Sequence, residues 1–480
     1  MSQNLFSLSP SQPFEFYKSC TQRAHIKYPF SRIKRMGLIL ALICLNWGGL
    51  AAQDLTSLFS RTTININKNP MTLADQGNLD YYAYADGLPN NAVILGWNQG
   101  YTARFRVIDA AGNTVGSDLS LPNIFIVDVK TFGTSTIHLL GFEHRTKNQS
   151  ISNAFSTDLE LFYIRMNTKG QVLVKTSIVG GEGTGSGKDW FTFGGRNGAH
   201  IVYNGENYAV FTEISHNFAN KPNDEANTHQ GDLYVELNWE GHLIPEKRQW
   251  WSASHSSNIQ LSVLGQDIIS FTSGDGGPFG LYAINRSTKK NRVFWPEGAT
   301  RSQLNEMRVQ NYLATGAGTV ESAFDIDGEY IGVLAATSET LPLMTRDMDW
   351  DERRPSNLLF LTLDSSLQTI SKKWLTTGTA NIGSALASPT KEGYMVVYAE
   401  SYDIGPAKAM FIDRNNMIIA GPKTLKGSAI DNKSYSFTFS NGDFGWLAVP
   451  VDGRSIILNR ISAGTVPPST SASMRTKIDP

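Results

Sequence analysis

Apolar residues along this chain alternate with polar ones or form short unbroken runs. No long stretch carries the roughly 3.6-residue apolar spacing of a helix face. Alternation predicts half-buried strands, and unbroken runs predict strands covered on both faces. A strand, an Asp or Asn, a short turn and a second strand recur along the chain. The copies are FRVIDAAGNTV around Asp109, YIRMNTKGQVL around Asn167, VELNWEGHLI around Asn238, YAINRSTKKNRVF around Asn285, FLTLDSSLQTI around Asp364 and MFIDRNNMII around Asp413. IILNRISAGTV around Asn459 is a weaker seventh copy. Asp and Asn start such turns because their side chains bond the backbone two residues on, while Gly or Asn accepts the left-handed position. Each copy therefore predicts a β-hairpin.

A second pair of runs precedes each hairpin. Before Asn238 these are AHIVYN and YAVFTEIS, broken at Gly205-Glu206-Asn207; before Asp413 they are IGSALAS and YMVVYAE, broken at Lys391-Glu392-Gly393. The unit is thus four strands, A to D, with tight A–B and C–D turns and B–C loops of varying length. Seven units take about 61 residues each, near 79–121, 124–180, 198–253, 258–297, 318–378, 380–425 and 433–462. Pro467-Pro468 spoils strand D of the last unit. Residues 57–67 (SLFSRTTININ) alternate well and are expected to supply it from the other end of the chain.

Four-stranded units repeated in this way close radially and so protect their strand edges. At this level the chain resembles the β-propeller superfamily across nearly all of residues 53–463. The resemblance implies an all-β, seven-bladed β-propeller of four-stranded antiparallel blades. No Trp-Asp pattern, kelch double glycine or Asp-box narrows it further, and Asp325-Ile-Asp327-Gly is too short for an integrin-like calcium loop.

Residues 1–52 read as an address. Arg32, Lys34 and Arg35 precede an apolar stretch from Met36 to Leu50, and Ala51-Ala52 follow, the form of a secretory signal peptide cut near Ala51 or Ala52. Met36 would start a signal of ordinary length. Ile43 stands where a lipoprotein box needs a small residue before Cys44. Both cysteines, Cys20 and Cys44, lie in this leader, so the remainder is an exported chain without disulfides, secreted or periplasmic, that relies on a large core. No membrane span is expected after cleavage. The C-terminal GTVPPSTSASMRTKIDP, 464–480, reads as a disordered tail.

Charge changes the picture little. The chain of 480 residues carries 42 basic and 43 acidic residues; six bases and one acid lie in the leader, so the rest carries a net charge of −6. That balance argues against a nucleic-acid partner held by phosphate neutralisation.

Long polar B–C loops in blades 2, 3 and 5 make the B–C/D–A face the expected functional one, because loops on a rigid scaffold carry binding. His144 opens the blade 2 loop. His216 and His229 bracket the blade 3 loop, and His255 follows that blade. With Asp232 these three histidines are candidate ligands for a divalent metal, or a general acid/base set. The alternative is that they only shape the loop. His138 and His200 fall inside strands and His242 in a C–D turn, positions of packed or solvated imidazoles. Asp275 in a glycine-rich loop, Trp190, the Asp349–Trp350 pair beside Arg346, and Glu400 with Tyr402 complete the candidate ligand-binding set. Aromatic faces stack on sugar rings while carboxylates and imidazoles bond hydroxyls. The composition therefore points to carbohydrate recognition, with a glycan or polysaccharide as partner. Two alternatives stand beside it: a polysaccharide lyase or hydrolase, and a cell-surface protein-interaction scaffold. For a lyase, a histidine would be the base, Tyr402 the acid and Arg346 the neutralising cation. For a hydrolase, Glu213, Asp232 and Asp275 are the candidate carboxylates.

Overall fold

The computed structural model describes residues 54–66, 82–100, 102–144, 159–180, 189–191, 198–217, 228–250, 252–253, 257–273, 280–306, 317–339, 356–378, 381–390, 392–400, 404–431, 434–450 and 453–462. For 144, 189, 190, 217, 228, 229, 257, 258, 305 and 306 it describes the backbone alone. The leader and the C-terminal tail lie outside these residues. Among the described residues no helix is long and apolar enough to cross a membrane.

Seven antiparallel sheets follow one another along the chain. Their strands A to D are Ala83–Gly87, Val93–Gln99, Thr102–Ile108 and Thr114–Pro122 in blade 1, and Phe125–Lys130, Thr136–His144, Leu159–Asn167 and Val172–Val179 in blade 2. Blade 3 has Ala199–Tyr203, Tyr208–Asn217, Thr228–Leu237 and Leu243–Trp250; blade 4 has Ser257–Leu264, Asp267–Ser273, Leu281–Asn285 and Asn291–Trp295. Blade 5 has Thr319–Ile326, Tyr330–Thr337, Asn357–Leu363 and Thr369–Trp374; blade 6 has Ser384–Pro389, Gly393–Ala399, Lys408–Asp413 and Ile418–Thr424. Blade 7 takes Tyr435–Thr438, Phe444–Ala448 and Ser455–Ile461 from the C-terminal end, and its fourth strand is Phe59–Asn65. Each inner strand A contacts that of the next blade, and blade 7's contacts blade 1's, so the array is a closed seven-bladed β-propeller.

The expected turn chemistry holds at six of the seven repeats. Asp109 Oδ1 accepts from Ala111 N at 2.9 Å and Asn113 N at 2.8 Å, and Asp364 Oδ1 accepts from Ser366 N and Gln368 N, both at 2.8 Å. Asn167, Asn238, Asn285 and Asp413 cap their turns likewise. Asn459 departs from the pattern. It is buried in the middle of a strand and donates its amide to Ala429 O at 3.2 Å. A hairpin turn is not needed there, because the strand that follows in space comes from residues 59–65. The N-glycosylation sequon at Asn285 is likewise closed in the folded chain, since that amide is buried and bonded to Asp267 Oδ2 at 2.9 Å.

Packing explains the unbroken apolar runs. Each gap between neighbouring blades is filled by one apolar layer, and the closing gap between blades 7 and 1 holds Ile64, Trp97, Phe437 and Leu458. A middle strand faces two such layers, so Asn357–Leu363 is buried at every position. Outer strands face one layer and solvent, so Thr114–Pro122 is exposed at most of its residues. Near the axis the backbones themselves meet: a Cβ added at Gly87 would overlap the carbonyl of Thr438, which is why no side chain fits there.

Candidate functional site

Around the axis the seven inner strands enclose a cavity of about 290 Å³. Every blade contributes. Asp86 comes from blade 1, Lys130 from blade 2, His200 from blade 3 and Gln260 from blade 4. Glu321 comes from blade 5, Ser388 from blade 6 and Ser436 from blade 7. Asp86, Lys130, Ser388 and Thr438 are the last or next-to-last residues of their strands, so this end of the cavity lies beside the A–B turns. Phe324, Tyr435 and Phe437 add aromatic surface.

Behind the wall sits Asp128, fully buried. Its carboxylate accepts from the Tyr435 hydroxyl in a very short bond, from Val129 N at 2.9 Å and from Ile201 N at 2.9 Å. Lys130 Nζ stands 4.0 Å away and His200 Nδ1 3.8 Å away. One carboxylate on blade 2 therefore reaches blades 3 and 7. Burial, and then the charge of Asp128, pushes the Tyr435 phenol well up. Lys130 Nζ also lies 4.9 Å from the centre of the Tyr435 ring.

The wall itself is partly spoken for. Asp86 Oδ2 accepts from Thr131 N at 2.6 Å, and burial holds its carboxyl above the usual range against the pull of Lys130 and Thr131. Glu321 accepts from Thr319 Oγ1 at 2.5 Å. Ser388 and Thr438 share a bond of 2.8 Å, and Ser322 accepts from Ala387 N at 3.0 Å. The Gln260 amide and the Ser436 hydroxyl make no side-chain bond among the described residues, and both line the cavity. The wall thus offers carboxylate acceptors together with ammonium, amide and hydroxyl donors.

Sequence reasoning missed most of this site. His200, read with His138 as a packed or solvated imidazole and not as a site residue, lines the cavity, whereas His138 is packed, bonded to Tyr163 OH at 2.8 Å with burial lowering its pKa to about 4. The signal was present in the inner strands: FIVDVK and AHIVY each carry a polar residue within an apolar run. Alternation alone does not say which edge of a blade meets the axis.

The loop candidates divide. His216 and His229 are register partners in blade 3, and a short extra strand, Asp189–Phe191, sets Asp189 opposite His216 and Trp190 opposite Ser215. The imidazole of His216 meets Trp250 edge-on at 4.8 Å. Asp232 does not join them. It pairs in register with Glu213, three residues from His216, and an odd separation on a regular strand puts the two side chains on opposite faces. Its carboxylate accepts from Ser252 N at 2.7 Å and Ala253 N at 2.9 Å. The expected His216–Asp232 ligand pair is thus split across the blade. Among the described residues no three His, Asp or Glu side chains converge as metal ligands. Glu400 is exposed and paired with Lys408 at 2.7 Å. His144 closes strand B of blade 2. His255, Asp275, Arg346, Asp349, Trp350 and Tyr402 lie outside the described residues.

Glu213 and Asp232 form a buried carboxylate pair on the face toward blade 4, where Arg286 bonds Ser270 Oγ at 2.7 Å and Ser252 Oγ at 3.0 Å. Burial first, and the Asp232 charge second, pushes Glu213 well above the usual carboxyl range. A raised pKa means the folded state prefers the protonated acid. That stability is complete below the unfolded pKa and is lost as pH rises through the folded value. Glu213→Gln, which keeps shape and removes the charge, is therefore expected to raise the urea midpoint at pH 7 by a margin that vanishes near pH 4. An equal effect at both pH values would show that Glu213 is not held protonated.

No family model and no curated protein matches this chain. Solved structures resemble its fold. A streptogramin B lyase aligns over 85% of this chain and 100% of its own at 10% identity, with a TM-score of 0.43. The Kuenenia stuttgartiensis hydrazine synthase aligns over 81% and 97% at 10% identity and 0.45. The GH93 α-L-arabinofuranosidase of Fusarium graminearum, solved with arabinobiose, aligns over 84% and 98% at 8% identity and 0.42. These likenesses concern the course of the chain and transfer no activity or residue.

Proposed function

We propose that this chain is an exported carbohydrate-recognition propeller that takes a saccharide unit into its axial cavity. The observation that carries the reading is the wall itself, where hydrogen-bonding side chains from all seven inner strands line one open-mouthed space. Sugars present many hydroxyls, each donor and acceptor at once, and apolar ring faces. Asp86 and Glu321 accept, Lys130, Gln260 and Ser436 donate, and Phe324 and Phe437 supply flat apolar surface. At about 290 Å³ the cavity lies at the small end of ligand pockets, roughly 300–1,000 Å³, which suits one or two rings rather than a long chain.

The test is a glycan array followed by calorimetry. Gln260→Ala with Ser436→Ala removes two neutral hydrogen bonds of ~1 kcal/mol each, so the best glycan is expected to lose at least tenfold in affinity while the unfolding midpoint stays put. Binding lost in His229→Ala, His255→Ala and Trp350→Ala but kept in the cavity variants would move the site to the B–C loops. Binding to no glycan would end the reading.

The Glu213–Asp232 pair favours a second reading, a glycan-cleaving enzyme, because an acid pushed up by burial and by a neighbouring carboxylate, as Glu213 is, is what general acid chemistry requires. New reducing ends, or absorbance near 235 nm from unsaturated products, abolished by Glu213→Gln, would establish it. Their absence across the array's ligands would remove it.

A further inference from the structure

Trp239 is the most exposed large apolar residue among the described residues, at 64%. It sits at the tip of the C–D turn of blade 3, between the strand ending at Leu237 and the strand starting at Leu243. The other C–D turns carry Ala110-Ala111, Thr168-Lys169, Ser287-Thr288, Ser365-Ser366 and Asn415-Asn416 at their tips, all small or polar. An exposed indole on a slack loop would mean little, but this turn is held. Asn238 N donates to His242 O at 2.9 Å, and Asn238 Oδ1 accepts from His242 N at 2.9 Å. Blade 2 then pins the backbone from outside. Arg165 donates to Trp239 O at 2.7 Å and to Glu240 O at 3.3 Å, and Thr176 Oγ1 donates to Gly241 O at 2.6 Å. Gly241 has a φ of +93°, and a Cβ there would come within 2.7 Å of the Tyr163 ring, so the turn lies flush against blade 2.

We infer that Trp239 is a stacking platform for a polysaccharide, a binding position separate from the axial cavity. Its ligand is a chain of pyranose rings with mostly equatorial hydroxyls, because such rings present a flat C–H face to the indole. The flanking residues supply the rest of sugar recognition. Glu240 and His242 are both exposed beside Trp239, with His242 Nδ1 3.6 Å from Glu240 Oε2. A carboxylate accepts from ring-edge hydroxyls, and an imidazole donates to them or accepts from them. The cross-blade bonds fix the turn before any ligand arrives, so binding orders little backbone. Size argues against a protein partner: one indole buries at most about 250 Å², against roughly 800 Å² per side in a stable protein interface. The inference rests on the saccharide reading for the class of its ligand, but not for its location.

The experiment is co-sedimentation of the intact chain with insoluble cellulose, chitin and xylan. The wild type is expected to bind at least one of them. Trp239→Ala and Trp239→Leu are each expected to weaken that binding about fivefold or more, since leucine keeps apolar area but not the plane, while Trp239→Tyr stays within about threefold. The urea midpoint should not move in any of the three, because the side chain is exposed. Trp239→Leu binding as the wild type does would show general apolar adhesion and overturn the inference. Polymer binding lost in Gln260→Ala with Ser436→Ala, and kept in Trp239→Ala, would overturn it and place the polymer in the cavity. Binding to none of the three polymers also overturns it: the saccharide reading then stands if the glycan array yields a ligand and falls if the array is blank.

Discussion

A chain lacking residues 54–66 is expected to lose cooperative unfolding near neutral pH and to associate. Those residues supply the whole fourth strand of blade 7, pairing from Phe59–Ile461 through Asn65–Ser455. Removing them uncovers the edge of Ser455–Ile461, and a long free edge is a template for pairing with another chain. It also strips two apolar layers at once. Leu55 belongs to the layer between blades 6 and 7, while Ile64 and Ile66 belong to the layer between blades 7 and 1. Burying such side chains contributes ~2 kcal/mol each, so about 6 kcal/mol is at stake against a total of roughly 5–15 kcal/mol for a typical domain. Arg61 also loses its bond to Gly427 O, and Arg106 its bond to Asn65 O, both 2.7 Å. Urea denaturation with gel filtration is the measurement. A peptide of residues 54–66 added in trans is expected to restore part of the midpoint. An unchanged midpoint and a monomeric profile would show that the ring closes without this strand.

The repeat was legible because its turn chemistry is local, and the closing strand because residues 57–67 alternate while Pro467-Pro468 leaves the last unit short of a strand. A turn-starting Asp or Asn acts on its own backbone, so Asp109, Asn167 and Asp413 announce their hairpins in sequence. The one failure, Asn459, has a physical cause: its neighbour in space is a strand some 400 residues away in sequence, so no turn chemistry is required there. The candidate site was less legible. Long polar loops draw the eye, whereas the cavity is built from single polar residues in inner strands whose partners lie on other blades. Tyr435 and Asp128 are 307 residues apart, and nothing in either segment names the other. The split between His216 and Asp232 follows from register, which sequence spacing does not reveal until the pairing of residues 208–217 with 228–237 is known.

Replacing Asp128 is expected to cost more stability than any other single side-chain change at the cavity. The carboxylate is fully buried and accepts bonds from blades 2, 3 and 7. Asp128→Ala strands the Tyr435 hydroxyl and Ile201 N, and breaking such a buried charged network costs about 3–5 kcal/mol. Asp128→Asn keeps the volume but turns an amide toward groups that are themselves donors, so about 2 kcal/mol is expected. Tyr435→Phe should cost less, because the remaining acceptor oxygens of Asp128 keep their backbone donors. The pH dependence separates the two partners. Burial and Asp128 hold the Tyr435 phenol protonated above the ordinary tyrosine value of 10.0, so its contribution is complete below that value and is lost as pH rises through the higher folded one. Wild-type urea midpoints should therefore fall above pH 10, and Tyr435→Phe should flatten that fall without removing it, since burial also raises the Tyr84 phenol. Should Asp128→Asn retain the wild-type midpoint yet abolish sugar binding, the network would not be a staple between blades. Asp128 would then belong to the ligand, with Tyr435 and Ile201 positioning it.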